Sequence, residues 1–508
     1  MKDIIIKYSL ISAVLLGGVS CSLDEEINGD FTKDFDPANP GVGIKDNAGV
    51  NDGLSGAFSA LLAGTATNGG FFQVQELSSD EAVITQKGGD WFDGGVFIRI
   101  HKHEFTPQTV SINDAWSNAY NGIFQCNDLM AKGDATVGSK AQLRMLRGYF
   151  YWRLLDLFGN VKIVTTAGGD APQSTRAQVF DFIESELLAI IPDLPAGKAE
   201  YGRVNQAAAY ALLSRLYLNA EIYRGQNRYQ DAIDAADQVI NSGLYSLSAE
   251  YKDVFSPTNL GNIEHIFVAA FDEATGTGMT IAQMTLHYPS QLTYKLAEQP
   301  WNGYSTVEEF YNSYEDGDKR KANNFIVGPQ YDINGNPILD LAFDKADPDG
   351  APVNYTPYIN ELFPNASRQG GARLGKFSFK IGQNNDMDND YPLLRYGEVL
   401  LNKAEAQARL SGNFNHPTTL ALVNEIRKRA DVAEFLTMTE GQLLAERGRE
   451  LFIEALRRTD LIRFGAWGNA WWEKPAHTDA HKVVFPIPLE QIQATASTAN
   501  PLKQNTGY

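Results

Sequence analysis

Only two cysteines, Cys21 and Cys126, occur among 508 residues, so no disulfide framework braces this chain. Positive charge is scarce as well. Lys and Arg number 43 against 62 Asp and Glu, a formal net charge of -19. That balance disfavours nonspecific nucleic-acid binding, which relies on cationic contacts to phosphate. Beyond the N-terminus no apolar run reaches the length that spans a bilayer. Catalytic signatures are missing too. Gly370-Gly-Ala-Arg-Leu-Gly375-Lys376 nearly spells a nucleotide loop, but Phe377 stands where a hydroxyl would reach magnesium. His103-Glu104 starts like a zinc-protease motif, with Pro107 where the second His belongs. No G-x-S-x-G elbow is present. Carboxylates are plentiful, yet a glycosidase pair is defined by a separation in space that sequence does not give.

Metal signals are equally thin. Val96 to Phe105 alternates like a short strand, which would put His101 and His103 on one face with no obvious third ligand. His477 and His481 flank Asp479 in a polar, proline-containing stretch that reads as a loop. Asp332, Asn334 and Asn336 alternate as in a calcium loop, but Pro337 replaces the sharp-turn Gly and Phe343 the closing Glu. A turn is the reading there, with a weak calcium site left open and no other cofactor expected.

What the chain has in quantity is helical periodicity. Ala209, Leu212, Leu213, Leu216, Ala220 and Tyr223 recur at three- and four-residue steps, then Gly225-Gln226-Asn227 breaks the run. Ala232, Ile233, Ala236, Val239 and Ile240 make a second helix, closed by Asn241-Ser242-Gly243. Leu143 to Leu157 with Val179 to Ile190, and Tyr396 to Ala408 with Leu420 to Ala430, repeat the arrangement. Such hairpins bury their apolar stripes only by stacking, as tetratricopeptide-type pairs do; ordinary helical packing is the alternative. Cys126 reads as a half-buried residue of another helix, Asn113 to Met130. Glu446/Arg449, Glu454/Arg458 and Asp460/Arg463 are spaced for ion pairs on a last helix, Glu440 to Arg463, either solvated or interlocked.

The N-terminus carries Lys2 and Lys7 ahead of a short apolar segment, the marks of a secretory signal. Gly17, Gly18 and Ser20 precede Cys21 as in a bacterial lipobox, although Val19 stands where a smaller residue is usual. Lipidation at Cys21 would tether the protein to a membrane; ordinary signal cleavage is the alternative.

Two loops draw attention by their rings. Lys87-Gly-Gly-Asp-Trp91-Phe92-Asp93-Gly-Gly95 is glycine-rich, a composition that exposes a large ring at low steric cost or lets a Trp clamp a turn. Residues 255–390 have few sustained helical runs and read as an irregular lobe, with Trp301-Asn302-Gly303 after Pro300 as a second presented ring.

The order of these segments resembles the SusD/RagB-like outer-membrane nutrient-binding lipoproteins of Bacteroidetes. The likeness rests on Leu146-Arg147-Gly-Tyr-Phe-Tyr151-Trp, on Gly202-Arg203 to Tyr245, and on Tyr391-Pro-Leu-Leu-Arg395-Tyr-Gly-Glu398. Glu446-Arg-Gly-Arg-Glu450-Leu-Phe-Ile-Glu454 and the Phe485-Pro-Ile-Pro488 ending add to it. The resemblance implies an all-α, SusD-like fold with tetratricopeptide-type pairs and an irregular ligand-binding lobe. Its parts would be a signal peptide (1–20), a lipidated tether (21–50), an N-terminal helical part (51–254), the lobe (255–390) and a C-terminal helical part (391–508). It also implies a non-enzymatic outer-membrane lipoprotein, facing the exterior, that captures oligosaccharides and passes them to a SusC-like TonB-dependent barrel. Peptide capture and a lipid-anchored glycoside hydrolase are the alternatives. Trp91, Trp301 and Tyr288 would stack on sugar faces while Asp80, Asp93 or Arg368 take hydroxyl hydrogen bonds.

Overall fold

A computed structural model describes residues 53–133, 135–275, 278–341 and 350–508. The expected signal peptide, Cys21 and the 21–50 tether lie outside the described residues, as does Phe343.

Two helices introduce the site region, Gly70–Leu77 (α1) and Val96–His101 (α2). The stack follows: Val110–Ala131 (α3), Val137–Phe158 (α4), Arg176–Ile190 (α5), Gln206–Leu218 (α6) and Tyr229–Asn241 (α7). It resumes with Tyr396–Ser411 (α8) and Pro417–Arg429 (α9), then Glu440–Leu451 (α10) and Arg457–Arg463 (α11). From α3 to α9 each helix packs on the next, the repeat-like stacking that amphipathic hairpins require. Ala209, Leu212, Leu216, Ala232, Ala236 and Val239 are all buried along the α6–α7 seam. Local chemistry sets the ends. Asn205 caps α6 by accepting the Ala208 N–H at 3.0 Å, and Thr175 with Gln178 forms a capping box on α5. Gly225 and Gly412 take the left-handed conformation that stops a helix.

Between α7 and α8 the chain makes its irregular excursion. Strand His265–Ala269 lies antiparallel to Tyr391–Arg395, with Tyr391 opposite Ala269 and Arg395 opposite His265, so the excursion leaves and returns at one place. Among the described residues strands pair only in twos, and the fold is all-α with short strand accessories. A second ladder is decisive for the site. Ala82–Ile84 (β1) runs antiparallel to Tyr304–Thr306 (β2), pairing Ile84 with Tyr304 and Ala82 with Thr306. The loop after β1 is thereby carried toward the turn before β2.

Several expectations need correction. Val96–His101 is a helix, not a strand, burying Phe97, Ile100 and His101 at helical spacing; its β-branched alternation is overruled by packing of that stripe against the core. His101 and His103 therefore share no strand face. His101 Nε2 meets the Trp472 carbonyl at 2.8 Å, while His103 donates from Nε2 to the Ser78 carbonyl and meets His477 Nε2 at its Nδ1, both at 2.8 Å. No group of three or more His, Cys, Asp or Glu among the described residues is placed to hold a metal. The Asp332 carboxylate accepts the N–H groups of Asn334 and Asn336 and the Asn336 amide at 2.8–3.0 Å, closing a turn. Cys126 is fully rather than half buried, and burial pushes its thiol up to about 12.

The helix expected over 440–463 is broken at 452–456, where Ile453 and Ala455 have positive φ. Glu446–Arg449 and Asp460–Arg463 pair at 2.6 Å, but Glu454 and Arg458 do not meet. Glu454 binds Arg395 and Lys376, and Arg458 binds Asp156 at 3.0 Å. This charge run is interlocked and internal. Arg395 reaches Glu450 at 2.8 Å, Glu454 at 2.7 Å and Glu264 at 3.1 Å, riveting the base of the excursion to the α10–α11 corner. Removing one partner of such buried pairs costs about 3–5 kcal/mol.

Candidate functional site

The β1–β2 ladder brings the glycine-rich loop against the 301–303 turn. Trp91 donates its indole N–H to the Trp301 carbonyl oxygen at 2.6 Å. Its ring lies against Gly303 so closely that a Cβ there would sit 2.4 Å from Cζ2. Phe97 from α2 backs it, ring centroids 5.5 Å apart. Trp91 itself has φ 60°, a conformation that costs a non-glycine residue energy and persists only where its surroundings enforce it. The Trp91 ring thus clamps a turn and also faces a cleft.

Trp301 stands on a rigid support. Three successive N–H groups of 301–303 donate to the carbonyls of Gln283, Leu286 and Met284 at 2.7, 2.9 and 2.8 Å. Asn302, wholly buried with φ 58°, donates from its side chain to the Arg368 carbonyl at 3.1 Å and accepts from Arg373 at 2.8 Å. The Trp301 side chain remains 39% exposed. Across the cleft, Tyr288 donates its hydroxyl to the Asp90 carboxylate, joining the glycine-rich loop to the excursion a second time.

These residues surround an open cavity of about 490 Å³, lined by Trp91, Trp301, Tyr288 and Asp93 with Asp90 and Gln299; Asn68, Phe97 and Pro300 complete it. Its chemistry could accommodate a sugar: rings for apolar C–H faces, carboxylates and amides for hydroxyls, all on a pre-formed frame. Two other expected residues lie elsewhere. Arg368 is 1% exposed and gives its Nε to Asp340 at 2.8 Å, with His287 on the same carboxylate at 3.1 Å. Asp80 is gripped by both arms of Arg457, at 2.7 and 2.8 Å. Both side chains are engaged in holding the fold. Asp90 and Gln299 were not singled out from sequence, though each lies within two residues of a ring that was: Asp90 precedes Trp91, and Gln299-Pro300 lead into Trp301.

The geometry defines a class: stacked helical hairpins bearing an aromatic, open-mouthed cleft on an irregular excursion. The SusD family model matches residues 263–508, and a second model, described as starch-binding associating with outer membrane, matches 67–218. Curated relatives include the starch-binding protein SusD of Bacteroides thetaiotaomicron, 27% identical over 416 residues, 73% of each chain. Similar solved structures include a SusD superfamily protein from Parabacteroides distasonis, with TM-score 0.70 and 22% identity over 90% of this chain and 99% of that one. Surface glycan-binding protein A from B. thetaiotaomicron, in complex with laminarihexaose, has TM-score 0.70 and 21% identity over 90% and 98%. The chain belongs to the SusD/RagB-like family.

Proposed function

We propose that this protein captures oligosaccharides in the Trp91–Trp301–Tyr288 cleft and hands them on unchanged. The observation that carries this reading is the Trp301 ring, left exposed on a turn whose three successive N–H groups are all hydrogen-bonded. A ring so presented is ready to stack without paying ordering entropy on binding. The relatives named for starch and laminarihexaose binding support the same ligand class. A binder that must release its cargo needs only micromolar to millimolar affinity, on the order of 4–8 kcal/mol.

In the same reading, Cys21 is acylated, the protein sits on the outer face of the outer membrane, and a SusC-like TonB-dependent barrel receives the ligand. The family description of association with the outer membrane supports this. No helix among the described residues is long and apolar enough to cross a membrane. Affinity electrophoresis against neutral polysaccharides tests the cleft, and retention that survives Trp301→Ala discards it. Metabolic labelling with an alkynyl fatty acid tests the anchor, with signal expected for the wild type and none for Cys21→Ser.

A further inference from the structure

A second concavity, about 570 Å³, shares a wall with the cleft. Tyr288 and Gln299 line both. Beyond that wall the chemistry changes: the lining becomes mainly aliphatic, with Leu292, Ile338, Leu339 and Leu341 beside Pro289 and Pro337. Leu292, Leu339 and Leu341 are 58%, 44% and 70% exposed, an unusual concentration of uncovered leucine. Apart from Gln291 and Asp332, the walls beyond Tyr288 and Gln299 offer a sugar ring neither a π face nor hydroxyl partners, but they suit an alkyl or aryl group.

The annex is also firmly built. Leu339 lies on a short strand, Leu339–Asp340, paired with Ala351–Pro352. Asp340 is held from within by Arg368 and His287, and His287 immediately precedes Tyr288 in the shared wall. Ile338 joins Val353 and Tyr355 in a small apolar cluster behind it.

We propose that the ligand is a glycan bearing an apolar substituent, an acyl ester or an aryl group, which this annex receives while the sugar occupies the cleft. The proposal rests on the glycan-capture reading and deepens it. The test is isothermal titration of an array of neutral oligosaccharides, each in free form, as its 4-nitrophenyl glycoside and in partly O-acetylated form. Wild type, Trp301→Ala and the double variant Leu292→Ser/Leu339→Ser are compared, the last changing only exposed side chains. A substituted form is expected to bind on the order of tenfold more tightly than its free parent. The double variant should lose that gain and leave affinity for the free sugar unchanged. If no substituted form gains, the annex proposal falls while a Trp301-dependent affinity for free sugar keeps the cleft reading. If no sugar binds in any form, both fall. A concentration-dependent dimer abolished by the double variant would assign the leucines to a second copy instead, overturning the proposal.

Discussion

The indole N–H of Trp91 donates to the backbone carbonyl of Trp301 at 2.6 Å, so the two rings of the cleft belong to one hydrogen-bonded unit although 210 residues separate them. Their roles differ. Trp301 presents its ring, whereas Trp91 also braces the turn that carries it. Trp301→Ala should therefore weaken glycan binding about tenfold or more while stability changes by no more than about 0.5 kcal/mol, the range for exposed positions. Trp91→Ala should lower both. Titration calorimetry with a parallel denaturant melt separates the two effects.

Gly303→Ala tests the close approach. The added methyl meets the Trp91 ring at 2.4 Å, and the Gly303 N–H, bound to the Met284 carbonyl at 2.8 Å, holds the backbone in place. The ring must move. The near-UV circular dichroism of the tryptophans should change and affinity should fall. Because both substitutions act at one contact, the stability losses of Gly303→Ala and Trp91→Ala should combine to less than their sum.

Arg368 and Asp80 should behave as structural residues. Arg368→Ala removes one partner of a buried pair with Asp340 and is expected to cost about 3–5 kcal/mol of stability. Asp80→Asn loosens the grip on Arg457 and should cost less, since Asp80 is partly exposed. The folded fraction of Asp80→Asn should bind glycan with wild-type affinity; a selective loss of affinity at full stability would return Asp80 to the binding site.

Two buried carboxyls against the α10–α11 corner predict the pH profile. Glu76 accepts the Ala455 N–H at 2.7 Å and Glu81 the Ile453 N–H at 3.0 Å, together holding the positive-φ corner between α10 and α11. Burial pushes Glu76 up to about 7, and burial with the neighbouring Glu76 charge holds Glu81 well above the usual carboxylate range. Raised carboxyl values mean that the folded state holds protons the unfolded chain releases. Their stability is fully present below about pH 4.5 and is lost as pH rises through 7. On the acid side the signs reverse. Buried Glu446, Glu450 and Asp460 are held below the usual carboxylate range by arginines that outweigh their desolvation. Their contribution is present above about pH 4.5 and lost as pH falls below it. Denaturant midpoints should peak near pH 5 and decline in both directions, and Glu76→Gln should flatten the alkaline limb.

The helical stack was legible because its information is local. Spacing of Ala209 through Tyr223, the Thr175–Gln178 box and the glycines at 225 and 412 each act over a few residues, and apolar periodicity maps directly onto a helix face. The ringed loops were legible for a related reason: glycines around Trp91 and the Pro300-Trp301-Asn302-Gly303 turn announce unusual backbone at those positions. The 96–101 segment misled because its alternating β-branched residues suit a strand, while the stripe Phe97, Ile100 and His101 found a core to pack on.

The amino-acid sequence by itself determined where helices start and stop, which family the chain resembles and which rings stand on loops, since each depends on neighbours a few residues apart. Only the tertiary structure decided what those groups meet. An arginine is charged wherever it sits, but whether it faces a ligand, as expected of Arg368, or an internal carboxylate depends on a partner brought close by the whole fold. The Trp91–Trp301 contact arises in the same way, from the pairing of Ile84 with Tyr304, a register that no local pattern encodes.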